Sequence, residues 1–224
     1  RVVAQFGPAL DDQGNIAADA GTRPTLLYFY GNGMCMADCD REINAFRHRG
    51  FNVMIPDFVG YGMSGGKPSE AGCYATADAC YDYLSARPGI EARKIVPIGW
   101  SLGAASAVYL AATRKPPCLV TLSAFTSMDA MAHHMFPYVP TSLLLRTHFP
   151  SEQRMRTIHC PIFMAHGTHD SIIPFQMSKQ LEAAAAGPVT KYDVQDGDHN
   201  NIFDIGGEEM MNAMQRFIDA NTEK

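Results

Sequence analysis

Short apolar runs alternate with longer stretches of helical periodicity along most of the chain. Thr25 to Tyr30 is an apolar run ending in Gly31-Asn32-Gly33, Phe51 to Ile55, Ile95 to Ile98, Cys118 to Ser123 and Ile162 to His166 are similar short runs, and Val189 to Val194 is a more polar run that also reads as a strand. Runs this short, closed by glycine or polar turns, predict buried strands. Between them lie segments with the period of a helix: Asp40 to Arg49, closed by Gly50, then Tyr74 to Ala86, Ala104 to Ala112, Phe175 to Ala186 and Glu208 to Ala220. In the segment from Tyr74, residues Ala77, Cys80, Tyr81 and Leu84 make one apolar face, and in the last Met210, Met214, Phe217 and Ile218 do so. Strand and helix in strict alternation predict an α/β fold, a doubly wound and mostly parallel sheet covered by helices on both faces. Arg1 to Phe6 adds a strand-like run at the start. One stretch departs from the alternation. Phe125 to Arg156 is rich in methionine, aromatics and proline, and reads as a short lid-like excursion over the sheet.

The chemistry gathers at Gly99-Trp100-Ser101-Leu102-Gly103, between the run Ile95 to Ile98 and the helix whose apolar face holds Ala105, Val108, Tyr109 and Ala112. A G-x-S-x-G turn from strand to helix forces strained backbone angles on the serine, and its glycines remove the Cβ atoms that would clash where strand and helix cross. Ser101 is thereby held out at the carboxyl edge of the sheet, beside the first N–H groups of a helix, where negative charge is favoured.

Length and composition narrow the partners. The chain has 224 residues, enough for one sizeable core, so a single domain over residues 1–224 is expected. Net charge is −5 with acidic and basic residues interspersed, which argues against nucleic acid as a partner. Apolar stretches such as Leu26 to Tyr30 and Leu143 to Leu145 are too short to cross a bilayer. The sequence starts at Arg1 within a strand-like run; a signal or anchor upstream is compatible with that start, and a cytoplasmic location is the default expectation. Six scattered cysteines do not make a disulfide scaffold, although a bridge within Cys35, Cys39, Cys73 and Cys80 is compatible with their spacing. Cys35 and Cys39 lack a second Cys/His pair at zinc-finger spacing, so neither metal nor cofactor is expected.

A serine hydroxyl is a poor nucleophile at neutral pH and needs a base, for which histidine is best suited. Of eight histidines, His133 and His134 lie in the excursion, and His166 and His169 flank one strand end. His199, in the polar loop Asp196 to Asn201 after the last strand, is placed to bend back over the sheet edge and is the expected base. Asp170, four residues beyond a neighbouring strand, is the expected carboxylate partner, with Asp129 its rival. Two backbone donors would stabilise the developing oxyanion: the Leu102 amide at the helix start and the Asn32 amide in the glycine turn.

Together these residues resemble the α/β-hydrolase superfamily. Ser101, Asp170 and His199 fall in that superfamily's chain order, Gly31-Asn32-Gly33 matches its oxyanion turn, and Asp57 to Ser64 (D-x-x-G-x-G-x-S) matches the loop after its next strand. Gly60 to Glu70 and His166 to Asp170 look like the small, nearly lidless esterases and thioesterases that include protein depalmitoylases. The resemblance implies an α/β-hydrolase fold and cleavage of a carboxylic ester or thioester through an acyl-enzyme. One departure is Tyr30, where the family usually has histidine before the oxyanion glycine. An aminopeptidase or amidase would use the same three residues, and a binding protein could keep the fold without catalysis. Trp100, Met128, Met131, Met135 and Phe136 are the expected substrate-contacting side chains.

Overall fold

A computed structural model describes residues 1–139 and 145–223. Leu143 and Leu144, counted above with the apolar stretch of the excursion, lie outside the described residues. Among the described residues seven strands form one sheet: β1 (Ala4–Gly7), β2 (Thr25–Phe29), β3 (Asn52–Pro56), β4 (Ile95–Trp100), β5 (Leu119–Leu122), β6 (Ile162–Gly167) and β7 (Val189–Val194). Their order is β1-β3-β2-β4-β5-β6-β7. All neighbours run parallel except β1, which pairs antiparallel with β3 from Ala4 opposite Pro56 to Gly7 opposite Val53. β2 and β3 are buried at every position, as continuous apolar runs in a doubly covered parallel sheet require.

The chain winds from β2 outward to β3, then crosses back over β2 to β4 and continues the other way. That reversal opens a crevice at the carboxyl ends of β2 and β4, where doubly wound folds place their ligands. Seven helices among the described residues cover the sheet: α1 (Asp40–His48), α2 (Glu70–Ala86), α3 (Leu102–Arg114), α4 (Met128–Met135), α5 (Ser151–Met155), α6 (Phe175–Ala184) and α7 (Ile202–Thr222). Helices α1 and α7 are tied together by ion pairs, Arg41 with Asp204 and Arg49 with Glu208.

Three elements differ from the sequence expectation. Helix α2 begins at Glu70 rather than Tyr74, because the Ser69 hydroxyl accepts the Gly72 amide at 3.0 Å and caps a first turn too polar and small to show apolar periodicity. Helix α7 begins at Ile202, six residues early, and passes a kink at Gly207, whose φ of +49° is non-helical. Helix α3 is buried around most of its surface; Tyr109, expected on its inner face, is half-exposed and donates its hydroxyl to Asp78 at 2.7 Å. Alanines and glycine on α3 let it lie close over β2, β4 and β5, so a narrow apolar stripe is not what the sequence needed to supply. The six cysteines are free thiols. Among the described residues no helix is long and apolar enough to cross a membrane.

Candidate active site

The turn between β4 and α3 holds Ser101 at φ 56° and ψ −119°, a conformation that costs a non-glycine residue about 1–3 kcal/mol and persists only where its surroundings enforce it. The neighbouring glycines explain the enforcement. A Cβ on Gly103 would lie 2.1 Å from the Phe29 carbonyl oxygen, and one on Gly99 would lie 2.2 Å from the Gly103 carbonyl oxygen. Strand and helix therefore cross at a distance that side chains forbid. Ser101 is lifted out at the sheet's carboxyl edge.

His199 comes from a 3-10 turn (His199–Asn201) that leads directly into α7. Its Nε2 lies 2.9 Å from Ser101 Oγ, and its Nδ1 lies 2.8 Å from Asp170 Oδ2. The Asp170 side chain is fully buried and its Oδ1 accepts the Ile172 and Ile173 amides at 3.0 and 2.7 Å. Burial alone would push this carboxyl up. Hydrogen bonds from His166, His199 and the Ile173 amide outweigh it and hold Asp170 well below the usual carboxylate range. An ionised carboxylate only accepts, so Nδ1 of His199 must carry the proton; in the neutral imidazole Nε2 is then bare and accepts from the Ser101 hydroxyl.

The loops that carry these groups are clasped to one another. Asp198 Oδ1 accepts the Ser171 amide (2.7 Å), the Ser171 hydroxyl (2.8 Å) and the His199 amide (2.7 Å), joining the acid loop to the histidine loop. On the other side of Ser101, buried Asp57 holds the glycine turn. Its Oδ1 accepts the Tyr30 hydroxyl at 3.0 Å and the Met36 amide at 2.8 Å, and its Oδ2 accepts the Met63 amide at 2.7 Å. Tyr30 in turn accepts the Phe58 amide at 3.3 Å. The residue that departs from the family pattern thus fixes the loop after β2 to the loop after β3.

Ser101 opens on a cavity of about 260 Å³. Asn32, Leu102, Phe125, Met128, Met131, Phe149, Ile172 and Ile173 line it, together with Tyr61, Ser69, Glu70 and Cys73. Of the side chains expected at the substrate, Met128 and Met131 are in this lining, whereas Met135 and Phe136 are exposed by 63% and 55% and outside it. Helix α4 outruns the cavity: the 128, 131, 135 spacing keeps one face, but its last turn projects beyond the wall. Trp100 is also outside the lining. Its ring packs behind His199, centroids 5.5 Å apart, and against Phe203. Asp129, the rival carboxylate, instead lies 2.9 Å from His148 Nδ1. His133 and His134 are exposed, and His169 pairs with Asp196.

The sequence reading missed Glu70, whose carboxylate accepts the Tyr74 hydroxyl at 2.9 Å and the His148 amide at 2.6 Å, tying the returning end of the excursion to α2. It also missed the contact of His166 with Asp170; the i, i+4 spacing after a strand was the available signal.

This strand order and serine elbow are those of the alpha/beta hydrolase class, and a family model described as alpha/beta hydrolase fold matches residues 24–144. The chain belongs to that family. An uncharacterized protein of Mycobacterium tuberculosis is 35% identical over 198 residues, which are 88% of this chain and 70% of the relative. Alpha/beta hydrolase domain-containing protein 17B of Xenopus laevis is 30% identical over 179 residues, 80% of this chain and 61% of that protein. The chain therefore spans roughly two thirds of the length of the relatives it matches. Among solved structures, Est1E from Butyrivibrio proteoclasticus with ferulic acid bound superposes with a TM-score of 0.74 at 16% identity, covering 100% of this chain and 96% of that one. A monoacylglycerol lipase of Paleococcus ferrophilus does so with 0.71 at 17%, covering 99% of each. At such identities the likeness is one of fold.

Proposed function

We propose that the protein is a serine hydrolase that cleaves carboxylic esters or thioesters through an acyl-enzyme. The observation that carries this is the unbroken contact from Asp170 Oδ2 through His199 to Ser101 Oγ, 2.8 and 2.9 Å, at the rim of an apolar cavity. In this reading His199 Nε2 takes the Ser101 proton as Oγ attacks the carbonyl carbon, and Asp170 stabilises the resulting imidazolium. The oxyanion is met by the Leu102 amide at the start of α3 and by the Asn32 amide. Both residues border the cavity beside Ser101. The imidazolium then protonates the leaving alcohol or thiol. Water then attacks the acyl carbon as His199 Nε2 takes its proton, the Oγ–carbon bond breaks to release the acid, and His199 returns the proton to Ser101 Oγ.

The lining supports an acyl group of modest size: Phe125, Met128, Met131 and Phe149 offer adaptable apolar contact. The test is a panel of p-nitrophenyl esters and a matched thioester of graded acyl length, with Ser101→Ala as control. The expected result is turnover that peaks at short to medium chains and disappears in the variant. Peptide amides hydrolysed in preference to every ester, or wild-type rates in Ser101→Ala, would overturn the reading.

A further inference from the structure

Two imidazoles meet at one carboxylate oxygen. Asp170 Oδ2 lies 2.8 Å from His199 Nδ1 and 3.3 Å from Nε2 of His166, a residue only 2% exposed. The same Nε2 is 2.9 Å from the Ile173 carbonyl oxygen. A carbonyl oxygen has nothing to donate, so Nε2 carries a proton and shares it between that carbonyl and the carboxylate. Ile173 closes the ring, because its amide donates to Asp170 Oδ1 at 2.7 Å. The reaction sequence above gives His166 no step.

We propose that His166 is a positioning residue: its shared Nε2–H locks the Asp170 carboxylate toward His199 and draws off part of its negative charge, so that it tunes how strongly His199 holds a proton. The inference rests on the triad reading just given. Its direction follows from electrostatics. A carboxylate that already receives a donor from His166 attracts the imidazolium of His199 less than one that does not, and His199 gives up its proton more readily. Removing the donor leaves more charge facing Nδ1 and raises the pH at which His199 becomes a base. The other charged groups around this centre would remain: Asp198, clasped to Ser171; Asp193, opposite His166 in β7 and paired with Lys191; and Lys179 and Lys191, about 5 Å from the ring of Phe175, which packs on His166.

The experiment compares wild type, His166→Leu and His166→Gln through the pH dependence of kcat/KM on one p-nitrophenyl ester. In His166→Leu the acid limb should move to higher pH by several tenths to about one unit. His166→Gln keeps an amide donor on a flexible, differently shaped side chain and should recover about half of that displacement but not all of it. An acid limb unmoved in both variants, with kcat/KM lowered evenly at all pH values, would show a structural role alone and overturn the proposal. Should His166→Leu fail to fold, an NMR titration of the His199 ring in wild type and His166→Gln replaces it. There a small upward displacement in His166→Gln supports the tuning, and identical titrations refute it. A wild-type protein that turns over no ester overturns the triad reading instead; the NMR titration still decides whether His166 acts on His199.

Discussion

Replacing Gly103 by alanine sets two physical effects against each other. Helix propensity favours the change: alanine gains about 1 kcal/mol over glycine inside a helix. Sterics oppose it. The added Cβ would lie 2.1 Å from the Phe29 carbonyl oxygen, 2.4 Å from its carbon and 2.7 Å from the Tyr30 carbonyl oxygen, while real Cβ contacts stop near 3.0 Å. All three obstacles are backbone of β2 and the residue after it, which cannot rotate away. Helix α3 must therefore back off by roughly 1 Å, an overpacking cost of about 1–3 kcal/mol or more. Set against the propensity gain, a net loss of up to about 2 kcal/mol lowers Tm by up to about 8 °C for a chain of this size. Activity should suffer more. Ser101 immediately precedes α3, and a shift of this size carries Oγ from 2.9 Å beyond hydrogen-bonding reach of His199, a misplacement that costs on the order of 100-fold in rate. The assay is Tm by calorimetry beside kcat/KM on a p-nitrophenyl ester. A Gly103→Ala protein as stable as wild type, or more so, with full activity would refute the argument that crossing distance sets the elbow.

Asp170→Asn keeps the shape of the site but makes the partner of Nδ1 neutral, and kcat should fall by about 10⁴-fold. Because the Asp170 carboxyl sits well below the usual range in the folded protein, the stabilisation it supplies is present above the unfolded-state value near pH 4 and lost as pH falls through its own folded value. The stability difference between wild type and Asp170→Asn, read from denaturant unfolding, should thus shrink progressively as pH falls below about 4; a difference that grows in that acid range would contradict this. Tyr30→Phe removes one donor from Asp57 and the acceptor of the Phe58 amide, costing about 1–3 kcal/mol. It should lower Tm and, by loosening the Asn32 turn, reduce kcat; an unchanged Tm would show that Tyr30 does not hold the loop.

Much of this site was legible in the chain because its loudest signals are local. Gly99 to Gly103 carries its own geometry: strand before, helix after, and glycines that the crossing demands. Ser101, Asp170 and His199 each follow a strand-like run, and a parallel sheet brings such ends to one edge whatever their separation in sequence. What was missed depends on contacts across elements. Glu70 lies in a helical turn without apolar period, and only the returning excursion gives its carboxylate a partner at His148. His166 reads as the last residue of a strand until the turn at Ile173 folds its carbonyl back over the ring. Met135 and Phe136 obey the helical period of Met128 and Met131, but periodicity specifies a face and not where the neighbouring wall stops.

The most direct measurement is peptide mapping by mass spectrometry after exposure of the folded protein to a fluorophosphonate. The account predicts a single phosphonyl adduct on Ser101, formed at a rate that falls sharply in His199→Ala. A folded wild-type protein that stays unlabelled, or carries the adduct on another residue, would contradict it.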